Sequence, residues 1–217
     1  MLYREYEPTT WGEFVGQDKA VQRARAIIER NGFTGGAFWI EAAGANNSGV
    51  GKTTLARLIA RTLADTFFIE ELDGSKCDKA AVERMQRSAH LSTWGDALPY
   101  RVWIVNEAHA MTQGAVDAFL TFLEALPNHA VVIFTTTRKV SADLFGDHDS
   151  GPFASRCHQI TLTNQGLNKA FAMRALGVAT AAGLCNGATL SDAEKLVKAC
   201  NNNLRATLQE IEGGCFL

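Results

Sequence analysis

Five short, nearly continuous apolar runs alternate with helical patterns over the first three quarters of the chain: Ala37–Glu41, Thr66–Glu71, Arg101–Val105, Val131–Thr136 and His158–Leu162. Runs without polar alternation mark strands covered on both faces. Strands separated by helices predict a parallel α/β sheet. The clearest helix spans 114–126, with Val116, Phe119, Leu120, Leu123 and Leu126 on one face and Pro127 as its stop. After Thr163 no strand candidate remains. Three helical segments follow, near 166–182, 191–200 and 204–212. Ser191-Asp192-Ala193-Glu194 predicts a capping box and Gly213-Gly214 a helix stop. The change of pattern predicts an α/β domain over 1–163 and a small helical domain over 164–217.

Residues 46–54 read Asn-Asn-Ser-Gly-Val-Gly-Lys-Thr-Thr, between the first strand and a helix over Thr53–Leu63. This is the strand–loop–helix setting of a phosphate-binding loop. Gly49 and Gly51 let backbone N–H groups face phosphate oxygens, and the helix N-terminus adds positive dipole. Asn47, Ser48, Gly49, Val50, Gly51, Lys52, Thr53 and Thr54 are the predicted nucleotide contacts. Lys52 would pair with β- and γ-phosphate oxygens, and the Thr53 hydroxyl would hold Mg²⁺. One departure is Asn46, where the first glycine of such a loop is expected; Asn tolerates left-handed backbone better than most residues.

The third run, Arg101–Val105, ends in Asn106-Glu107-Ala108-His109. In phosphate-loop ATPases a buried strand here delivers an Asp for the Mg²⁺ shell and a Glu that polarises the attacking water. Glu107 is the predicted catalytic base. Asn106 stands at the Asp position, able to bond a metal-held water but without charge. Metal binding and hydrolysis are therefore expected to be weak, and Asn106→Asp is expected to raise turnover. His109 receives no chemical role.

The chain has 21 Lys plus Arg against 23 Asp plus Glu, a net charge of −2. That excludes a basic nucleic-acid coat, so DNA contact must come from a local patch. Lys76, Lys79, Arg84 and Arg87 form the candidate patch, on a helix that buries Val82, Met85 and Ala89. Hydrophobic residues make up 47% of the chain, enough for a sizeable core. No run is long enough to span a membrane, and with two acids and no following apolar stretch the N-terminal segment is not expected to be a signal peptide. Five scattered cysteines without a Cys-x-x-Cys pair point to a reducing, cytoplasmic setting rather than a disulfide scaffold.

Together these residues resemble the AAA+ ATPase modules of DNA polymerase clamp loaders, especially the bacterial gamma/tau subunit and then replication factor C small subunits. The N-terminal Tyr6-Glu7-Pro8 and Val15-Gly16-Gln17 are similar to the family's opening, whose Val-Gly-Gln lies against the adenine. Ser155-Arg156-Cys157 matches the Ser-Arg-Cys triplet that marks clamp-loader subunits. The resemblance implies a five-stranded parallel sheet, a three-helix lid, and ATP with Mg²⁺ at the hinge. It implies Arg156 as an arginine finger acting in trans on a neighbour's ATP. It also implies Thr137 as the polar sensor orienting water and Arg205 as the lid arginine reaching phosphates in its own subunit.

Departures from the family sharpen the expectation. Glu7 replaces an arginine. Cys77 stands alone where a zinc-binding cysteine cluster is usual, so zinc is not expected. The sequence stops after the lid, so the helical collar that joins subunits is expected to be absent. The implied function is a clamp-loader-like ATPase of DNA replication, assembled with other AAA+ subunits and acting with DNA and a sliding clamp. The alternative is a nucleotide-binding switch or scaffold that hydrolyses little. An isolated monomer is expected to turn over poorly, since Arg156 must come from a neighbour.

Overall fold

The computed structural model describes residues 1–43, 48–91, 93, 98–137 and 151–216. Helix α1 (Leu2–Glu5) precedes α2 (Asp18–Ile28), strand β1 (Gly36–Ala42) and helix α3 (Lys52–Leu63). Then come β2 (Ile69–Asp73), α4 (Lys79–Ala89), β3 (Arg101–Asn106), α5 (Gln113–Glu124) and β4 (Ala130–Thr135). The chain closes with α6 (Gly151–Ala154), β5 (Cys157–Leu162), α7 (Asn168–Ala181), α8 (Leu190–Ala199) and α9 (Leu204–Glu212).

The strands form one five-stranded sheet in the order β2-β3-β4-β1-β5, and every pairing is parallel. Period-two geometry sorts each strand onto two faces. Phe38, Ile40, Val102, Ile104, Val131 and Ile133 pack with α2 and α3. Their neighbours Ala37, Trp39, Trp103, Val105, Val132 and Phe134 pack with α4 and α5. Both faces are covered, which is why the runs lack polar alternation.

The second strand starts later than its composition suggests. Thr66–Phe68 is a 3-10 turn, and Asp65 accounts for it: its carbonyl accepts from Phe68 N at 2.8 Å and its carboxylate from Leu98 N at 2.9 Å. Helix α8 also starts two residues earlier than the expected capping box allows. Thr189 is its N-cap, its hydroxyl accepting from Asp192 N while the Asp192 carboxylate accepts from Thr189 N at 3.1 Å. Ser191 lies inside the helix, so the box is Thr189 with Asp192 rather than Ser191 with Glu194.

Helices α7, α8 and α9 lie beyond the strand ends. Leu167, Phe171, Ala172, Ala193 and Val197 continue the core from β5 into them. A separate apolar cluster of Ala175, Val178, Leu208 and Ile211 receives Leu2 from α1. The N-terminal helix is thereby docked on α9.

Candidate nucleotide-binding site

The carboxyl ends of the parallel strands open onto a cavity of about 530 Å³. In open α/β sheets this is where ligands bind. The phosphate loop forms its floor, with Ser48, Gly49, Val50, Gly51, Lys52, Thr53 and Thr54 all in the wall. Asn46 and Asn47 lie outside the described residues. Gly51 is the N-cap of α3 with φ 102°, and a Cβ there would lie 2.6 Å from the Phe14 ring. Only glycine combines that backbone with that approach. Lys52 is 7% exposed although it carries a charge. Burial holds its ammonium below the usual lysine range; the Glu107 carboxylate opposes that shift and the nearby Arg205 adds to it. A desolvated ammonium at a helix N-terminus suits a polyanion.

The end of β3 supplies the acidic side. Glu107 has φ 50°, a left-handed backbone unusual for a non-glycine residue. Its Oε2 accepts from the Thr137 hydroxyl at 3.1 Å and lies 3.5 Å from His109 Nδ1. His109 Nδ1 is also 3.1 Å from Thr136 Oγ1. His109, given no role from sequence, therefore flanks the candidate base. Asn106 Oδ1 accepts from the hydroxyls of Thr53 at 3.0 Å and Thr135 at 2.9 Å. A hydroxyl already donating to Asn106 keeps its lone pairs free toward the cavity. The buried lysine, the Thr53–Asn106 pair and the roomy cavity fit a magnesium nucleotide.

The C-terminal helices form the roof. Arg205 and Arg174 line the cavity, as do Phe171, Leu204 and Leu208. Arg205 lies 5.5 Å from the Tyr3 ring centroid. Arg174 donates to the Tyr6 carbonyl at 2.8 Å. Sequence reading missed Arg174, whose only signal is its place three residues after the buried Phe171. Val15 is in the wall; Gly16 packs beneath Leu167 and Phe171 instead. Gln17, 3% exposed, ties the phosphate loop to the residue after β5. Its amide donates to Thr163 O at 2.7 Å and Val50 O at 3.4 Å, and it accepts from Thr163 N at 3.0 Å.

Arg156 is elsewhere. It precedes Cys157, which pairs with Ala37 at the amino end of the sheet. The five residue steps from Ala37 to Ala42 separate it from the phosphate-loop end by ~17 Å along the strand. Its guanidinium donates to Glu124 and to the Pro152 carbonyl. Beside it, burial pushes the Cys157 thiol up to about 12, so it packs as a neutral group. Lys76, Lys79, Arg84 and Arg87 are exposed on and before α4, outside the cavity wall; Lys79 approaches Glu83 at 3.9 Å. Among the described residues, no group of three or more His, Cys, Asp or Glu is placed to hold a metal ion, and no helix is long and apolar enough to cross a membrane.

Known proteins agree with this architecture. Residues 45–147, just under half of the chain, match the "ATPase family associated with various cellular activities (AAA)". The DNA polymerase III subunit gamma/tau of Mycobacterium tuberculosis is 27% identical over 159 residues, covering 63% of this chain and 27% of that protein. The DNA polymerase III subunit gamma of Buchnera aphidicola is 27% identical over 158 residues, covering 63% of this chain and 42% of its own length. The match thus spans less than half of these relatives. The Thermotoga maritima RuvB Holliday junction branch migration motor superposes with TM-score 0.73 at 18% identity, over 95% of this chain and 64% of that one. At that identity the likeness speaks for the fold alone. Fold, phosphate loop and relatives agree: the chain has an AAA+ P-loop fold, an AAA ATPase match over residues 45–147, and a sequence similar to clamp-loader ATPase subunits.

Proposed function

We propose that the chain binds Mg-ATP in the cavity and hydrolyses it at a junction between subunits, as part of a clamp-loader-like machine acting on DNA and a sliding clamp. Residues 1–163 are the nucleotide-binding body and 164–217 the lid. The observation that carries this reading is the split of functional groups: Lys52, Thr53, Glu107, Thr137 and Arg205 surround one cavity, while Arg156 lies at the opposite end of the sheet. A group ~17 Å away along the strand cannot serve its own phosphates, but it can serve a neighbour's.

In this reading Lys52 holds the β- and γ-phosphate oxygens, and the α3 N-terminus adds backbone donors. Thr53, and Asn106 through a water, would hold magnesium, which would supply charge neutralisation at those oxygens. Glu107 takes the proton of the attacking water as the oxygen bonds to the γ-phosphorus and the bond to ADP breaks. Thr137 fixes the Glu107 carboxylate. Arg205 senses the phosphates from the lid, and a neighbour's Arg156 stabilises the charge spread over the equatorial oxygens. Lys76, Lys79, Arg84 and Arg87 hold the DNA backbone.

The test is ATPase rate per subunit against protein concentration, with and without primer-template DNA, for wild type and Arg156→Ala. The expected rate climbs with concentration, rises further with DNA, and falls roughly a thousandfold in Arg156→Ala. A second reading, a nucleotide-binding switch, is favoured by the neutral Asn106. A flat rate near background with clear ATP binding would select it and overturn the first.

A further inference from the structure

Asn106 is neutral where an acidic residue serves the metal in proteins of this chemistry, yet its amide is in contact with a carboxylate. Asn106 Nδ2 donates to Glu71 Oε1 at 2.6 Å, across from β3 to β2. Asp73, which stands directly opposite Asn106 in the strand register, is not the partner. Its carboxylate is turned onto Ser75, accepting from the backbone at 2.9 Å and the hydroxyl at 2.5 Å. Glu71, two residues earlier on the same face, takes the diagonal contact instead.

The amide orientation follows from its neighbours. Turned the other way, Oδ1 would meet the Glu71 carboxylate, acceptor against acceptor. As placed, Oδ1 receives two hydroxyls and Nδ2 serves the acid. Glu71 is itself fixed by a two-pronged contact from Arg57, Nε to Oε2 and Nη2 to Oε1, both at 2.8 Å. The third arm of Arg57 donates to Glu7 at 2.7 and 3.0 Å. Glu7, Arg57 and Glu71 together thus carry one surplus negative charge, anchored from the N-terminal segment through α3 to β2. The residue at which this chain departs from its relatives' opening, Glu7, belongs to the same array.

We propose that Glu71 is a positioning residue that supplies the charge Asn106 lacks, acting on Thr53 through the Asn106 amide. This rests on the magnesium-nucleotide reading above. A carboxylate accepting from Nδ2 polarises the amide, makes Oδ1 a stronger acceptor, and so makes the Thr53 oxygen a better donor of electron density toward a cation. Charge and metal-facing hydroxyl are separated by one amide instead of being joined in one Asp.

The arrangement reverses the expectation for Asn106→Asp. Two carboxylates would meet where donor and acceptor now stand 2.6 Å apart. The single change therefore weakens the site. Pairing it with Glu71→Gln restores a donor–acceptor contact of opposite sense and moves the charge next to Thr53.

The experiment measures ATP affinity in excess Mg²⁺ and in EDTA by calorimetry, for wild type, Glu71→Gln, Asn106→Asp and the double variant, with melting temperatures for each. The wild type is expected to gain at least tenfold from Mg²⁺. Glu71→Gln should keep its EDTA affinity within about twofold while the Mg²⁺ gain falls at least threefold. Asn106→Asp should also lose gain, and the double variant should return to within about twofold of wild type. A full Mg²⁺ gain in Glu71→Gln, or a double variant worse than both singles, overturns the proposal and leaves Glu71 as a staple between β2 and α3. Wild type that binds ATP with no Mg²⁺ gain also overturns it, with nucleotide binding intact. Wild type that binds no ATP overturns the site reading itself.

Discussion

The two ends of the central sheet are built on opposite principles. At the carboxyl end, polar groups are bonded to one another and aimed into a cavity: Thr53 to Asn106, Thr137 to Glu107, with a nearly buried Lys52 between them. At the amino end, Arg156, proposed above as a finger for a neighbour, is held by Glu124 and a backbone carbonyl. The Glu124 side chain is 62% exposed, so the pair is weakly held. The first end is fixed by the fold before any ligand arrives. The second is available at small cost, as a group needed only when another subunit docks would have to be. In the proposed reading, preorganisation within a chain and readiness between chains are separate problems, kept about one strand length apart by the sheet.

The largest expected effect breaks the carboxyl end alone. Lys52→Ala removes the ammonium proposed to pair with phosphate, and ATP affinity measured by calorimetry should fall at least a hundredfold, as expected for loss of a charge-assisted contact in a desolvated site. Thermal stability without nucleotide should not fall with it, because burial already disfavours the Lys52 charge. Unchanged affinity would refute the phosphate-loop assignment and with it the contrast between the two ends.

A smaller effect tests what holds the cavity together. Gln17→Leu keeps the apolar bulk but leaves the Val50 carbonyl and both backbone groups of Thr163 without their side-chain partner. Buried backbone groups left unpaired cost about 1–3 kcal/mol each. Urea denaturation should show a loss of roughly 2 kcal/mol or more, and ATP affinity should weaken because the phosphate loop loses its tie to the hinge. A variant as stable as wild type would mean the hinge is held by the Leu167 and Phe171 packing alone.

The contrast between the ends also explains what sequence could and could not disclose. The strands were legible because burial on both faces leaves apolar runs, and the phosphate loop because its glycines and lysine are contiguous. Thr66–Phe68 misled because its aromatic and β-branched residues suit a strand, whereas Asp65 bonds them into a turn. The Glu71–Asn106 contact spans 35 residues and depends on β2 lying beside β3, which no local pattern encodes. Arg174 was invisible for a similar reason: a lone cation on a helix has no period, and only the docking of α7 over the loop turns it inward. His109 flanks Glu107 at 3.5 Å across a turn in which Glu107 has a left-handed backbone, a conformation no sequence pattern announced. The chemistry held within one loop could be read; the chemistry assembled by neighbouring strands and helices could not.

The smallest expected effect concerns the amino end. His158 follows Cys157 on β5, its ring 5.5 Å from that of Phe38. Burial, then the charges of Arg30 and Arg23, lower its pKa from the ordinary value of 6.5. A histidine whose pKa is lower in the folded state binds fewer protons folded than unfolded between the two values. Stability is then greatest above pH 6.5 and falls as pH drops through that window, because the unfolded chain takes up the proton first. The slope from this single group stays below about 1.4 kcal/mol per pH unit. His158→Gln should flatten the melting-temperature profile just below pH 6.5 while leaving the ATP affinity at the other end of the sheet unchanged at pH 8. An unaltered profile would remove His158 as its source. A change in ATP affinity at pH 8 would mean that the two ends communicate through β1, against the separation argued above.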